Sequence, residues 1–114
     1  MSAECLFCKI GEKKIPASLV YEGPEIFAFE DINPQAPTHI LICPRKHFAS
    51  LHEAESADNA LLGNMLLVAA KLARDKQLLD GYRTVFNNGA RAGQSVFHLH
   101  LHVLGGRAFA WPPG

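Results

Sequence analysis

Polar and apolar positions alternate over His98-Leu99-His100-Leu101-His102-Val103-Leu104. That period of two predicts a strand over 95–104. His98, His100 and His102 then share one face, spaced about 6.6 Å apart at the rise of a strand, and Leu99, Leu101 and Val103 face a core. Four earlier runs predict further strands. Residues 18–22 and 25–30 flank a Gly23-Pro24 turn and form a hairpin. Residues 38–43 place His39, Leu41 and Cys43 on one face and Thr38, Ile40 and Ile42 on the other, and 82–87 is the fourth run. Between these, Leu61, Met65, Val68 and Leu72 recur at helical spacing, broadened by Leu62, Leu66, Ala69 and Ala73. They predict one long helix over 57–79, N-capped by Ser56 and ended by Gly81. A short helical turn over 5–11 ends at Gly11. Strands at both ends, hairpin-length connections and one inserted helix predict an α+β domain: a five-stranded antiparallel sheet with the long helix on one face.

Composition narrows the classes. The chain has 114 residues, enough for a single domain over 1–114. Eleven basic and eleven acidic residues give no net charge, which argues against a nucleic-acid or membrane surface. Met1-Ser2-Ala3-Glu4-Cys5 lacks the pattern of a secretory leader, so a cytoplasmic location is expected. Three cysteines, an odd count, fit a reducing compartment, and Cys5-x-x-Cys8 has metal-ligand spacing.

Three alternating imidazoles that titrate near neutrality can bind metal, or one of them can act as a nucleophile. The segment before them, Asn87-Asn88-Gly89-Ala90-Arg91-Ala92-Gly93-Gln94-Ser95, supplies glycines, amides and a hydroxyl. Glycines let backbone N–H groups turn toward an anion. Anion donors beside a nucleophile suit attack at phosphorus.

Gly93-Gln94-Ser95-Val96-Phe97-His98-Leu99-His100-Leu101-His102-Val103-Leu104-Gly105-Gly106-Arg107 resembles the signature of the histidine triad (HIT) superfamily. Asp31-Ile32-Asn33-Pro34-Gln35-Ala36-Pro37-Thr38-His39 and the Trp111-Pro112-Pro113-Gly114 end resemble its histidine triad nucleotide-binding branch, purine nucleoside phosphoramidases that pair as homodimers. The resemblance implies that His100 attacks the α-phosphorus and becomes nucleotidylated, with His102 at the phosphate, Ser95 assisting the departing amine and His39 supporting the triad. It also implies phosphate contacts from Gly93 and Gln94, Asn87 near phosphate and ribose, and Asp31 on the ribose hydroxyls. Leu6, Phe7, Ile10, Phe29, Ile32 and Leu41 fall where the family lines a slot for the base.

Some members of the superfamily hold zinc by two cysteines and two histidines. By that resemblance Cys5 and Cys8 join His47 and His98 in a closed structural zinc site, with no organic cofactor. Cys43 is expected in the core and His52 on the surface. Two other activities stay open alongside the phosphoramidase: a dinucleoside polyphosphate hydrolase or nucleotidyl transferase, and a nucleotide-binding scaffold protein.

Overall fold

The computed structural model describes residues 4–114; the leader-peptide reading of the N-terminus bears partly on residues 1–3, which lie outside them. The described chain runs α1 (Leu6–Gly11), β1 (Leu19–Glu22), β2 (Ile26–Glu30), β3 (Thr38–Pro44), α2 (Asn59–Asp75), β4 (Tyr82–Phe86) and β5 (Leu101–Gly105). The strands form one antiparallel sheet in the order β1-β2-β3-β5-β4. β3 and β5 are therefore central, and α2 packs across both. No helix among the described residues is long and apolar enough to cross a membrane.

Strand alternation divides the core into two sides. Ile26, Ala28, Ile40, Ile42, Leu99, Leu101 and Val103 pack beneath α2, which contributes Leu61, Met65, Val68, Ala69 and Leu72. Phe27, Phe29, Leu41 and Cys43 point to the opposite side, where Phe7 and Ile10 of α1 cover them. The expected faces of β3, the buried Cys43 and the exposed His52 are all observed. Leu66 is half-exposed at the edge of the helical stripe.

Three boundaries differ from expectation. The strand predicted over 95–104 pairs only from Leu101 onward. Both neighbouring ladders reach it no further, ending at Ile42↔Leu101 and Phe86↔Leu101. Upstream, the chain bends at 96–98 and Leu99 N–H donates instead to Phe48 O (2.8 Å), so the alternation of faces continues without a ladder. The long helix starts at Asn59, preceded by a 3-10 turn over Ser56–Asp58, so Ser56 is not its cap. Asp58 orders that entrance, accepting from Glu55 N–H (2.9 Å) and from Lys46 Nζ (2.6 Å). The helix ends at Asp75 rather than 79 because Gln77 adopts a positive φ of 58° and Leu78 N–H returns to Ala73 O (2.9 Å).

After β5 the chain turns through Gly106, whose φ is +89° and where a Cβ would lie 2.9 Å from Pro37 Cβ. The turn lets Arg107 reach back, its Nε donating to Gln35 O (3.0 Å), and so closes the Asp31-to-Pro37 loop onto the sheet. Gly106→Ala is expected to lower unfolding stability by about 1–2 kcal/mol, the scale of forcing an L-residue into left-handed backbone. Urea denaturation measures it, and an unchanged midpoint would contradict the packing described.

Candidate functional site

The histidine face of the 98–102 segment lies on the α1 side of the sheet. His100 is buried, with its ring edge-on to Phe7 (centroids 4.9 Å, 88°). Its Nδ1 is 2.7 Å from the backbone O of His98. A carbonyl only accepts, so Nδ1 carries the proton and Nε2 keeps its lone pair. Burial pushes the His100 pKa below the usual imidazole value, against the opposing pull of the His98 carbonyl. The result is a neutral imidazole at pH 7 with a bare Nε2, the form a nucleophile needs.

His102 is set by a chain that also begins on the backbone. Gln35 N–H donates to His39 Nδ1 (3.0 Å), so the His39 proton is on Nε2. That Nε2 lies 2.9 Å from His102 Nδ1 and 3.4 Å from Asp31 Oδ2. His102 Nδ1 accepts from it, which leaves Nε2–H of His102 as a donor. Burial lowers the pKa of His39, and burial with the nearby His100 and His39 takes His102 down to about 4. The site thus offers a bare nitrogen on His100 and an N–H on His102, with ring centroids 4.9 Å apart.

His98, fully buried, turns its ring to a different task. Its Nε2 donates to Pro44 O (2.7 Å), so Nδ1 is the bare nitrogen. That Nδ1 lies 3.4 Å from Cys5 Sγ, 3.5 Å from Cys8 Sγ and 3.0 Å from His47 Nδ1, and Cys8 Sγ is 3.4 Å from His47 Nδ1. All four donor atoms lie within 4.8 Å of one another. Tetrahedral zinc with sulfur and nitrogen ligands has donor–donor edges of about 3.3–3.8 Å, so the set fits, with the nitrogen pair slightly close. The Pro44 carbonyl supplies the outer hydrogen bond that a metal-binding imidazole requires. Asp31, His39 and His102 also converge within 4.8 Å. There the protons are placed against a metal: His39 Nδ1 is held as an acceptor by Gln35 N–H, so its Nε2 cannot give up its proton to ligate.

A cleft of about 490 Å³ opens over His100 and His102. Leu6, Phe7, Ile10, Phe29, Ile32 and Leu41 form its apolar walls, and Asp31 and Ser95 join the two histidines as polar groups. Ile32 stands 99 % exposed at the rim. Pro16, Ala17, Ser18, Glu30 and Val96 also line the cleft and were missed. Pro16, Ala17, Ser18 and Glu30 come from the connector into β1 and the end of β2, which only strand order brings here; Val96 follows Ser95 in the segment before the histidines.

Four expected residues lie outside the lining. His39 is buried behind His102, as a supporting residue should be. Gln94 spends its side chain inside the loop, accepting from Gly89 N–H (2.8 Å) and donating to Ala49 O (2.6 Å) and Val96 O (3.1 Å). Its amide therefore braces the loop rather than facing the cleft. Gly93 supplies a left-handed turn (φ 99°), and Asn87 follows the end of β4. A wider cleft of about 680 Å³ lies between residues 77–83 and 106–109, with Arg83 and Arg107 packed on Phe109. It contains none of the triad histidines.

The depressed imidazole pKa values make stability pH-dependent. His102 titrates near 4 when folded and near 6.5 when unfolded, so the unfolded chain binds more protons between those values. His39 shifts in the same direction. Stability is therefore full above about pH 6.5 and is lost as pH falls toward 4. Thermal unfolding scans across this range should show a level melting temperature above neutrality and a steady fall below it; a constant or rising value on acidification would contradict the buried neutral triad.

The same architecture recurs in known proteins. A HIT-like protein of Synechocystis sp., itself uncharacterised, is 52 % identical over 114 residues, covering all of both chains. A HIT family hydrolase from Legionella pneumophila superposes with a TM-score of 0.95 at 53 % identity, covering 97 % of this chain and all of that one. A histidine triad nucleotide-binding protein from Candida albicans superposes with a TM-score of 0.82 at 34 % identity, covering 96 % of this chain and 83 % of that one. The HIT domain profile matches residues 12–109, and the chain belongs to the HIT domain family.

Proposed function

We propose that the protein is a nucleotide-binding hydrolase that cleaves the P–N bond of purine nucleoside 5'-phosphoramidates through a nucleotidyl-His100 intermediate. The observation that carries the reading is the bare Nε2 of His100, fixed by the 2.7 Å bond from Nδ1–H to His98 O, at the polar end of an apolar cleft. Similar solved structures from Legionella pneumophila and Clostridium thermocellum are HIT family hydrolases, which supports the general class. The similarity to the histidine triad nucleotide-binding protein of Candida albicans supports the ligand class.

In this reading the base enters between Phe7, Phe29, Leu41 and Ile32, and Asp31 accepts from the ribose hydroxyls. The phosphate then meets His100 and His102. His100 Nε2 attacks phosphorus and the P–N bond breaks. The nucleotidylated imidazole carries a positive charge, which the His98 carbonyl stabilises through Nδ1–H. The amine leaves with a proton delivered from solvent through the Ser95 hydroxyl. His102 Nε2–H donates to a phosphoryl oxygen as charge gathers there. Water attacks phosphorus and gives up a proton to solvent, the P–N bond to His100 breaks with its electron pair returning to Nε2, and nucleoside monophosphate departs. His100 recovers its neutral form, ready for another cycle.

Cys5, Cys8, His47 and His98 are proposed to hold zinc. When bound, it supplies a closed structural tie with four protein ligands and no position for substrate. A homodimer is the proposed assembly, consistent with the open edge of β4 and with exposed Leu66, Leu67 and Trp111.

With adenosine 5'-phosphoramidate as substrate, His100→Ala is expected to lower kcat/KM by about a thousandfold or more. The parent protein should hydrolyse that substrate faster than a diadenosine polyphosphate. Undiminished hydrolysis by the variant would remove His100 as nucleophile, and a preference for the polyphosphate would replace the P–N specificity.

A further inference from the structure

The four-ligand cluster and the base wall share one short element. α1 has six residues, too few to hold a helix by its own hydrogen bonds. Cys5 is its N-cap, the Sγ accepting from Cys8 N–H (3.4 Å), and Cys8 lies within its first turn. Leu6, Phe7 and Ile10 of the same helix are cleft residues. A tie through Cys5 and Cys8 to His47 and His98 therefore bears directly on one wall of the cleft.

The two ends of that tie are not equally dependent on it. His98 has separate anchors: its Nε2–H donates to Pro44 O (2.7 Å), and the next residue's N–H donates to Phe48 O (2.8 Å). His100 meets α1 edge-on at Phe7 (4.9 Å), but it and His102 are held by backbone-rooted hydrogen bonds that include none of the four ligands' side chains. α1 has its apolar contacts, chiefly Phe7 against Phe29 (5.3 Å), and the bond from Arg45 Nη1 to Gly11 O (2.7 Å) at its far end. At its first turn, where Leu6 and Phe7 line the cleft, the cysteine cluster is a polar fastening to His47 and His98 at the ends of the central strands. Release of the metal would thus loosen the base wall and leave the phosphate end in place.

We propose that Cys5 and Cys8 are positioning residues for base recognition: with metal bound they hold α1 against the cleft, so metal occupancy sets affinity for the base-bearing part of a nucleotide and leaves affinity for its sugar-phosphate part unchanged. This rests on the nucleotide reading above. It requires no electron transfer and no role for the metal in bond cleavage.

The test compares reduced protein carrying one equivalent of zinc with chelator-treated protein, titrating each with AMP and with ribose 5-phosphate by calorimetry. Metal removal should weaken AMP binding by about tenfold, equivalent to about 1.4 kcal/mol of lost apolar contact, with ribose 5-phosphate unchanged. Hydrogen exchange should speed up at Lys9 and Glu12, whose N–H groups donate to Cys5 O (3.1 Å) and Cys8 O (3.0 Å), while β3 and β5 stay protected. Cys5→Ser retains a side-chain oxygen to cap α1 but removes a thiolate; it should reproduce the selective loss for AMP and guards against unfolding of the metal-free protein. Equal AMP affinity with and without metal, or equal weakening of both ligands, overturns the proposal while the nucleotide reading stands. Failure of the zinc-loaded protein to bind AMP overturns both, and failure to take up zinc overturns the positioning role alone.

Discussion

The site depends on the backbone deciding where each imidazole keeps its proton. An isolated histidine exchanges its proton between two nitrogens and titrates near neutrality. Here three main-chain groups remove that freedom. His98 O fixes the proton on Nδ1 of His100, Pro44 O fixes it on Nε2 of His98, and Gln35 N–H leaves it on Nε2 of His39. His102 then follows from His39. Burial keeps the rings neutral, so these assignments persist at pH 7. One short segment consequently presents a bare nitrogen into the cleft, an N–H beside it and a bare nitrogen toward two thiols. The same side-chain type does three jobs because its hydrogen-bond partners differ.

The fold supplies those partners by leaving the ladder at a particular place. Had residues 98–100 remained paired in the sheet, the carbonyl of His98 would compete for a strand partner. Both neighbouring ladders end at Leu101, and upstream the chain bends at 96–98, with Leu99 N–H on Phe48 O and its side chain in the core. Leu99 and Leu101 remain locked under α2, so the histidine face cannot roll. Arg107 plays a parallel part at a distance: its bond to Gln35 O steadies the loop whose N–H sets His39. α2 provides the larger apolar mass, and α1, much shorter, builds the wall against which His100 rests.

Much of this was legible in the chain because it follows from period. Alternation over 38–43 and 98–104 assigned both sides of the sheet correctly, down to Cys43 in the core. The spacing of Leu61, Met65, Val68 and Leu72 located the helix. What escaped depends on contacts with no period. Gln77 ends the helix in a left-handed conformation that glycine would have announced. Asp58, with Lys46 from another part of the chain, orders the helix entrance that Ser56 was expected to cap. The direction of Gln94 follows from Ala49 O and Gly89 N–H, neither predictable from its neighbours in sequence. Family resemblance named Asp31, Ser95, His100 and His102 and the apolar walls among the cleft residues, and it missed Glu30 and the connector Pro16-Ala17-Ser18, which reaches the cleft through strand order alone.

The arrangement of protons is the claim on which the proposed nucleophile, its neighbour and the proposed metal cluster all rest. Nitrogen-15 NMR of the imidazole rings at pH 7 reads it directly. The account predicts a neutral His100 protonated at Nδ1, with His39, His98 and His102 neutral and protonated at Nε2. A His100 protonated at Nε2, or a cationic His100 at that pH, would contradict it.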